Sequence, residues 1–250
     1  MEIKRRKFQG ALNILSFNRH FYFFGIGTLA ALLAISQYYE FLPLITWSII
    51  ASFIYGMIMP LIVSAYVYDL SGYYELNWLK NQIEESDSVK LIVNINAGFD
   101  ETSFILKEKL PQSDLKVFDF YNNKQHTEPA IIRARKVSYV YPNNQQIASD
   151  SIPMNDCTVD IVFLLSAAHE IRSHKEKIQF LKECNRICKP QGKVIMVEHL
   201  RDIPNFLAFS VGFTYFFSRS VWKDAFESAG FSSLHETKFT PFMSIFNCSR

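Results

Sequence analysis

Two uncharged stretches constrain this chain more than any other feature. Residues 21–39 ("FYFFGIGTLAALLAISQYY") and 41–68 ("FLPLITWSIIASFIYGMIMPLIVSAYVY") contain no Asp, Glu, Lys or Arg, and only Glu40 lies between them. A bilayer core is crossed by a helix of about 20 apolar residues, the scale of each run. A secretory signal would account for the first run alone, but no small-residue cleavage site follows it and a second apolar run begins at once. A buried hairpin in a soluble protein is the other reading. Pro43 sits near the start of the second run, where a helix tolerates it, and Pro60 lies inside, where a kink is expected. Lys4, Arg5, Arg6, Lys7 and Arg19 precede the first run. The positive-inside tendency then keeps the N-terminus in the cytoplasm and returns the chain there after two crossings.

These runs divide the chain into a basic N-terminus (1–20), a two-helix hairpin in the cytoplasmic (inner) membrane (21–68), an aromatic interfacial linker (69–88) and a cytoplasm-facing domain (89–250). The linker belongs to "YVYDLSGYYELNWLK", whose rings are read as bilayer anchors with no chemistry of their own. Net charge is +2. After residue 80 the basic cluster Arg133, Arg135 and Lys136 forms no stripe with interleaved aromatics, so no nucleic-acid partner is expected. Cys157, Cys184, Cys188 and Cys248 lack a second pair at metal-ligand spacing and read as reduced thiols; no metal is expected.

The domain alternates strands and helices. Strand-like runs fall at 89–94, 115–118, 138–140, 159–165 and 193–197, with a clear helical pattern over 175–188. That alternation predicts an α/β fold with a doubly wound parallel sheet. Ligands of such sheets bind beyond the carboxyl ends of the strands. The first strand runs into "NINAGFDETS", where Gly98 is the one glycine and Thr102 or Ser103 is placed to cap the next helix. The second ends at Asp119, whose carboxylate suits a ribose diol, and Asp150 follows the third strand, where it suits an adenine amino group. Each Asp alone also reads as a cap or turn residue.

With the glycine turn, the carboxylate after the second strand, "SDSIPMNDCTVDIVFLLSAAHEI" and "FLKECNRICKPQGKVIMVEHL", the chain resembles the class I S-adenosylmethionine-dependent methyltransferases. "ICKPQGKVIMVE" is similar to the family's Leu-Lys-Pro-Gly-Gly turn, with Gln191 in place of the first glycine and Gly192 kept. "NAGFDETS", "HTEPAIIRARK", "AAHEIR" and "EHLRDIPNFLAF" resemble a bacterial membrane-anchored subgroup. The resemblance implies a Rossmann-like sheet and S-adenosylmethionine as cofactor. It also implies that the turn holding Asn94, Asn96 and Gly98 faces the methionine part, Asp119 the ribose, and Asp150 with Ser151 the adenine. Where the family has an acidic residue and Gly-x-Gly, this chain has Asn94 and Asn96. Asn tolerates left-handed backbone, so a specialised turn and a degenerate one are both open.

Methyl transfer is in-line displacement from a sulfonium, so the protein positions a nucleophile and, for a hydroxyl or acidic carbon, removes its proton. His169 and Glu170, past the fourth strand, and His199, past the fifth, are the candidate bases; helix capping is their structural alternative. Glu198 is expected to pair Arg201 or Arg172. Residues 204–222 are apolar and aromatic, and read either as core packing or as a lid that faces the bilayer and admits an amphiphile. The reading as a whole is an enzyme acting on a hydrophobic small-molecule acceptor at the lipid bilayer. The competing reading is a non-catalytic interaction or sensing module that keeps a degenerate methyltransferase fold.

Overall fold

The structure, a computed structural model, describes residues 5–83, 89–124 and 128–250. Lys4 of the basic cluster, linker residues 84–88, and residues 125–127, with His126 of the "HTEPAIIRARK" stretch, lie outside the described residues.

The apolar runs form long helices. A short helix α1 (Gln9–Phe17) precedes α2 (Arg19–Tyr38) with only Asn18 between them, and α3 (Pro43–Ala65) runs back. Pro43 stands in the first turn of α3, where the missing N–H would have had no partner, and the helix continues through Pro60. Both spans are long and apolar enough to cross a membrane, and only 6% and 11% of their apolar windows are buried inside the protein. A core helix of a soluble protein would hide most of such a surface.

The linker is not a bare run of bilayer anchors. Val67, Tyr73, Leu76, Trp78, Leu79 and Ile83 are buried in a core cluster with sheet residues. The aromatic pattern expected at a headgroup boundary here serves as the inner layer that covers one face of the sheet.

The sheet has seven strands in the order β3-β2-β1-β4-β5-β7-β6. In chain order these are β1 (Leu91–Asn96), β2 (Asp114–Asp119), β3 (Gln145–Gln146), β4 (Val159–Leu165), β5 (Cys188–His199), β6 (Ser233–Thr240) and β7 (Met243–Ser249). The first five are parallel, whereas β7 runs antiparallel to both β5 and β6. The expected all-parallel sheet is therefore mixed, because the chain turns back at Pro241-Phe242 into a hairpin that closes the β5 edge. The strand expected at 138–140 is absent: Tyr139 and Val140 are exposed, and two apolar residues with nothing to pack on gain too little to order as strand.

Helices α4 (Ser103–Lys109), α5 (Pro129–Arg135), α6 (His174–Ile187), α7 (Ile203–Phe209) and α8 (Arg219–Ser228) complete the domain. Strand residues alternate between two cores, as a pleat of period two requires. Val93, Ile95, Val162 and Leu164 face α6 and α8 through Phe180, Leu181, Trp222 and Phe226. Ile92, Ile161, Phe163 and Ile195 face the linker, with Leu106 of α4. Gly192 admits no side chain: a Cβ there would lie 2.8 Å from the backbone of Lys189 and of Val159. Cys184, Cys188 and Cys248 are buried free thiols.

Candidate active site

The ends of β1 and β2 bring the first group of expected residues together. Asn96 is in register with Asp119 across the parallel ladder. After β1 the chain turns at Gly98, whose φ of +85° is open to glycine at little cost. Asn96 Oδ1 accepts from the Gly98 N–H at 2.8 Å and so closes the turn. Asn94 Nδ2 donates to the hydroxyls of Thr102 and Ser103. The helix that follows is capped by Asp100 rather than by those hydroxyls: Asp100 Oδ1 accepts from the N–H groups of Thr102 and Ser103, both at 2.9 Å. The two asparagines thus build the turn with their side chains, work that extra glycines would otherwise do by backbone freedom. Asn96 Nδ2 and Asp100 Oδ2 remain buried without a hydrogen-bond partner.

Asp119 ends β2 with both oxygens engaged. Oδ1 accepts from the Tyr121 N–H at 2.8 Å, and Oδ2 is 2.8 Å from Arg135 Nη1 of α5. Asp150 and Ser151 lie in an exposed turn after β3, closed by a bridge between Ala148 and Ser151. That turn reaches Asp119 through the Ile147 N–H, which donates to the Asp119 carbonyl at 2.9 Å.

The second group gathers at the ends of β4 and β5. His169 Nδ1 is 2.7 Å from Glu198 Oε2, and its Nε2 is 3.5 Å from Glu170 Oε1. Tyr215 donates to Glu170 at 2.8 Å. Burial alone would lower the His169 pKa, but the two carboxylates outweigh it and carry it up to about 10. His169 is therefore held toward its charged form within an ion-pair network with Glu198 and Glu170. Glu198 pairs His169 instead of the expected arginines: Arg201 donates to the carbonyls of Phe216 and Thr214, and Arg172 to those of His169 and Tyr215.

His199 is neutral for the opposite reason. Burial lowers its pKa to about 4. Its Nδ1 faces the carbonyl oxygens of Asn205 and Phe242 at 3.0 and 2.9 Å, so Nδ1 carries the hydrogen. Nε2 then accepts from the Tyr68 hydroxyl at 2.9 Å. Beside this pair, Tyr73 meets Ser166 Oγ at 3.1 Å and Tyr74 donates to Glu101 at 2.6 Å. Sequence reasoning missed these tyrosines because it assigned them to the bilayer surface. The available signal was density: three tyrosines within seven residues, with Asp69 among them.

The apolar segment after β5 lies against α3. Tyr55 donates to the carbonyl of Leu207 at 2.7 Å. Ile203 and Val211 are 74% and 79% exposed, and residues 203–217 hold no charged side chain.

With this geometry in view, a family model described as "Methyltransferase domain" matches residues 122–196. Residues 122–196 are therefore similar to a methyltransferase domain. Solved structures agree in fold. A S-adenosylmethionine-dependent methyltransferase from Aquifex aeolicus is 14% identical with a TM-score of 0.50, over 76% of this chain and 97% of that one. Human N-acetylserotonin methyltransferase, in complex with S-adenosylmethionine, is 13% identical with a TM-score of 0.51, over 77% and 55%. The pyocyanin biosynthetic protein is 11% identical with a TM-score of 0.52, over 76% and 57%. The chain thus spans little more than half the length of the last two. At these identities the likeness is one of fold, the class I methyltransferase sheet. A search of curated proteins finds no match.

S-adenosylmethionine is the cofactor that such a match implies, and the ends of β1 and β2, just before the matched residues, fit that group on two counts. The Gly98 turn and Asp119 stand side by side at adjacent strand ends. The unpartnered Asn96 amide nitrogen and Asp100 oxygen supply a donor and an acceptor on the same turn.

Proposed function

We propose that this protein is a membrane-anchored methyltransferase that moves a methyl group from S-adenosylmethionine to a hydroxyl or acidic carbon of an apolar, membrane-dissolved small molecule. The observation that carries the acceptor class is the contact between Tyr55 and Leu207. Tyr55 lies ten residues before the end of α3, roughly 15 Å along the helix at 1.5 Å per residue. If α3 spans the bilayer, the uncharged 203–217 segment descends beside it to the depth of the acyl chains. The acceptor then reaches the carboxyl edge of the sheet without crossing water.

Bound S-adenosylmethionine would supply an electrophilic methyl group on a sulfonium. The chain's own residues do the rest. Asp119, Asn96 and Asp100 hold the nucleoside and amino-acid parts. Tyr68, fixed by the Nε2 of neutral His199, turns its hydroxyl oxygen lone pairs toward an acceptor proton. His169, held between Glu198 and Glu170, ties the end of β4 to the end of β5. The two histidines therefore act as positioning groups, and Tyr68 is the candidate to touch the acceptor.

The competing reading, a non-catalytic sensing module, draws on one observation: Arg135 stands on the carboxylate expected to hold the ribose. Membranes supplied with a labelled methyl donor distinguish the two. Label in an extracted lipid-soluble product supports the enzyme, and donor binding without any labelled product supports the module.

A further inference from the structure

We propose that Arg135 is an internal occupant of the cofactor's ribose position, and that α5 is a gate which the N-terminal helix α1 holds shut. This inference rests on the cofactor assignment above. One guanidinium occupies the space between Asp119, Tyr121 and Gly98. It pairs with Asp119 Oδ2 at 2.8 Å, on a carboxylate only 8% exposed. It stacks 4.0 Å over the ring of Tyr121. It also lies on the bare Cα of Gly98, where an added Cβ would come within 1.7 Å of Nη1. A ribose set on Asp119 beside the Gly98 turn would need the space the guanidinium fills, so the cofactor enters by exchange.

The holding contacts run to the membrane hairpin. Ile131 and Ala134 of α5 pack with Phe17 of α1 and with Tyr121. Phe17 also meets the ring of Phe99, the residue after Gly98, at 5.4 Å. Arg133 donates to the Phe17 carbonyl and to His20 Nδ1, the latter at 2.8 Å. Since Asn18 alone separates α1 from α2, a shift at the base of the hairpin is passed to α5 within one or two residues. The cofactor turn is thus covered by a helix that the sequence ties to the membrane, and access to it depends on how α1 sits.

A closed gate reduces apparent affinity by the fraction of molecules that are open, so removing the occupant tightens binding. The experiment is calorimetric titration of the full-length, detergent-solubilised protein with S-adenosylhomocysteine, for wild type, Arg135→Ala, Arg133→Gln and Asp119→Ala. The expected result is Arg135→Ala binding on the order of tenfold tighter than wild type, as for an open fraction near a tenth. Arg133→Gln is expected to bind a few-fold tighter, and Asp119→Ala weaker. A misfolded variant would not bind tighter, so the sign separates the gate from simple damage. Equal affinity in Arg135→Ala overturns the occupant, and weaker affinity overturns it by making Arg135 a ligand of the cofactor. Tightening in Arg135→Ala with none in Arg133→Gln overturns the hold by α1 alone. If no variant binds, the cofactor assignment falls and the gate with it; if wild type and Arg135→Ala bind equally well, the cofactor assignment stands and only the gate falls.

Discussion

The imidazole of His169 lies 2.7 Å from the carboxylate of Glu198, which is 1% exposed at the end of β5. A charge buried to that degree is tolerated only with its partner, and each group accounts for the other's place at the sheet edge. In the folded protein the His169 pKa stands at about 10, against about 6.5 for an unfolded histidine. The folded state therefore binds the extra proton between those values, and the pair's contribution is full below about pH 6.5 and fades as pH rises toward 10. Glu198→Gln should bring the His169 titration, followed by NMR of the labelled imidazole, down toward neutral pH. It should also lower stability by about 3 kcal/mol at pH 6 to 7, read from thermal unfolding in detergent.

His199 predicts the reverse slope. Its folded pKa of about 4 lies below the unfolded value, so between about pH 6.5 and 4 the unfolded chain holds the additional proton. Stability should fall as pH drops through that window. His199→Gln should flatten that part of the profile, measured by unfolding midpoints at half-unit pH steps.

Tyr68→Phe removes the hydroxyl that donates to His199 Nε2, the group proposed to touch the acceptor. Turnover on the extracted acceptor should drop roughly a hundredfold, the usual scale for losing a positioned proton-handling group, while donor affinity stays within twofold. Turnover like that of wild type would move the acceptor contact elsewhere.

Val211→Lys places a charge on a residue 79% exposed within the uncharged segment. If that segment lies among acyl chains, labelling of an apolar acceptor should fall while the protein stays in the membrane fraction after a carbonate wash. An environment-sensitive dye on Val211→Cys should shift to the blue in vesicles, and an aqueous spectrum there would place the segment in water.

Gly98→Ala should destabilise the protein by at least about 1 kcal/mol, because a side chain at φ +85° is strained before any contact is counted. Pairing it with Arg135→Ala removes the 1.7 Å collision but not the backbone strain, so the double variant should recover only part of the loss. Chemical denaturation of the four proteins measures both parts.

Much of this protein is legible along the chain because it rests on local pattern. The two uncharged runs specify α2 and α3 by length alone. The run at 159–165 and the amphipathic repeat before Cys188 specify β4 and α6 nearly to the residue, since burial on one face or both leaves a period in the sequence. That the turn after Asn96 would lie beside Asp119 was readable for the same reason: adjacent parallel strands place their ends together whatever the rest of the fold does.

Other features were decided by contacts between distant segments. Whether His169 is charged and His199 neutral depends on Glu198, Glu170 and Tyr68, and a histidine's position in a sequence carries no record of the field around it. The tyrosines after α3 look like membrane anchors because an aromatic ring suits a headgroup layer and a protein core equally well. Only the packing of the linker against Ile161 and Phe163 chose between them. The antiparallel closure by β7 and β6 and the seat of Arg135 on Asp119 are likewise tertiary. Each joins segments through backbone pairing or charge rather than through a repeat that the chain could display.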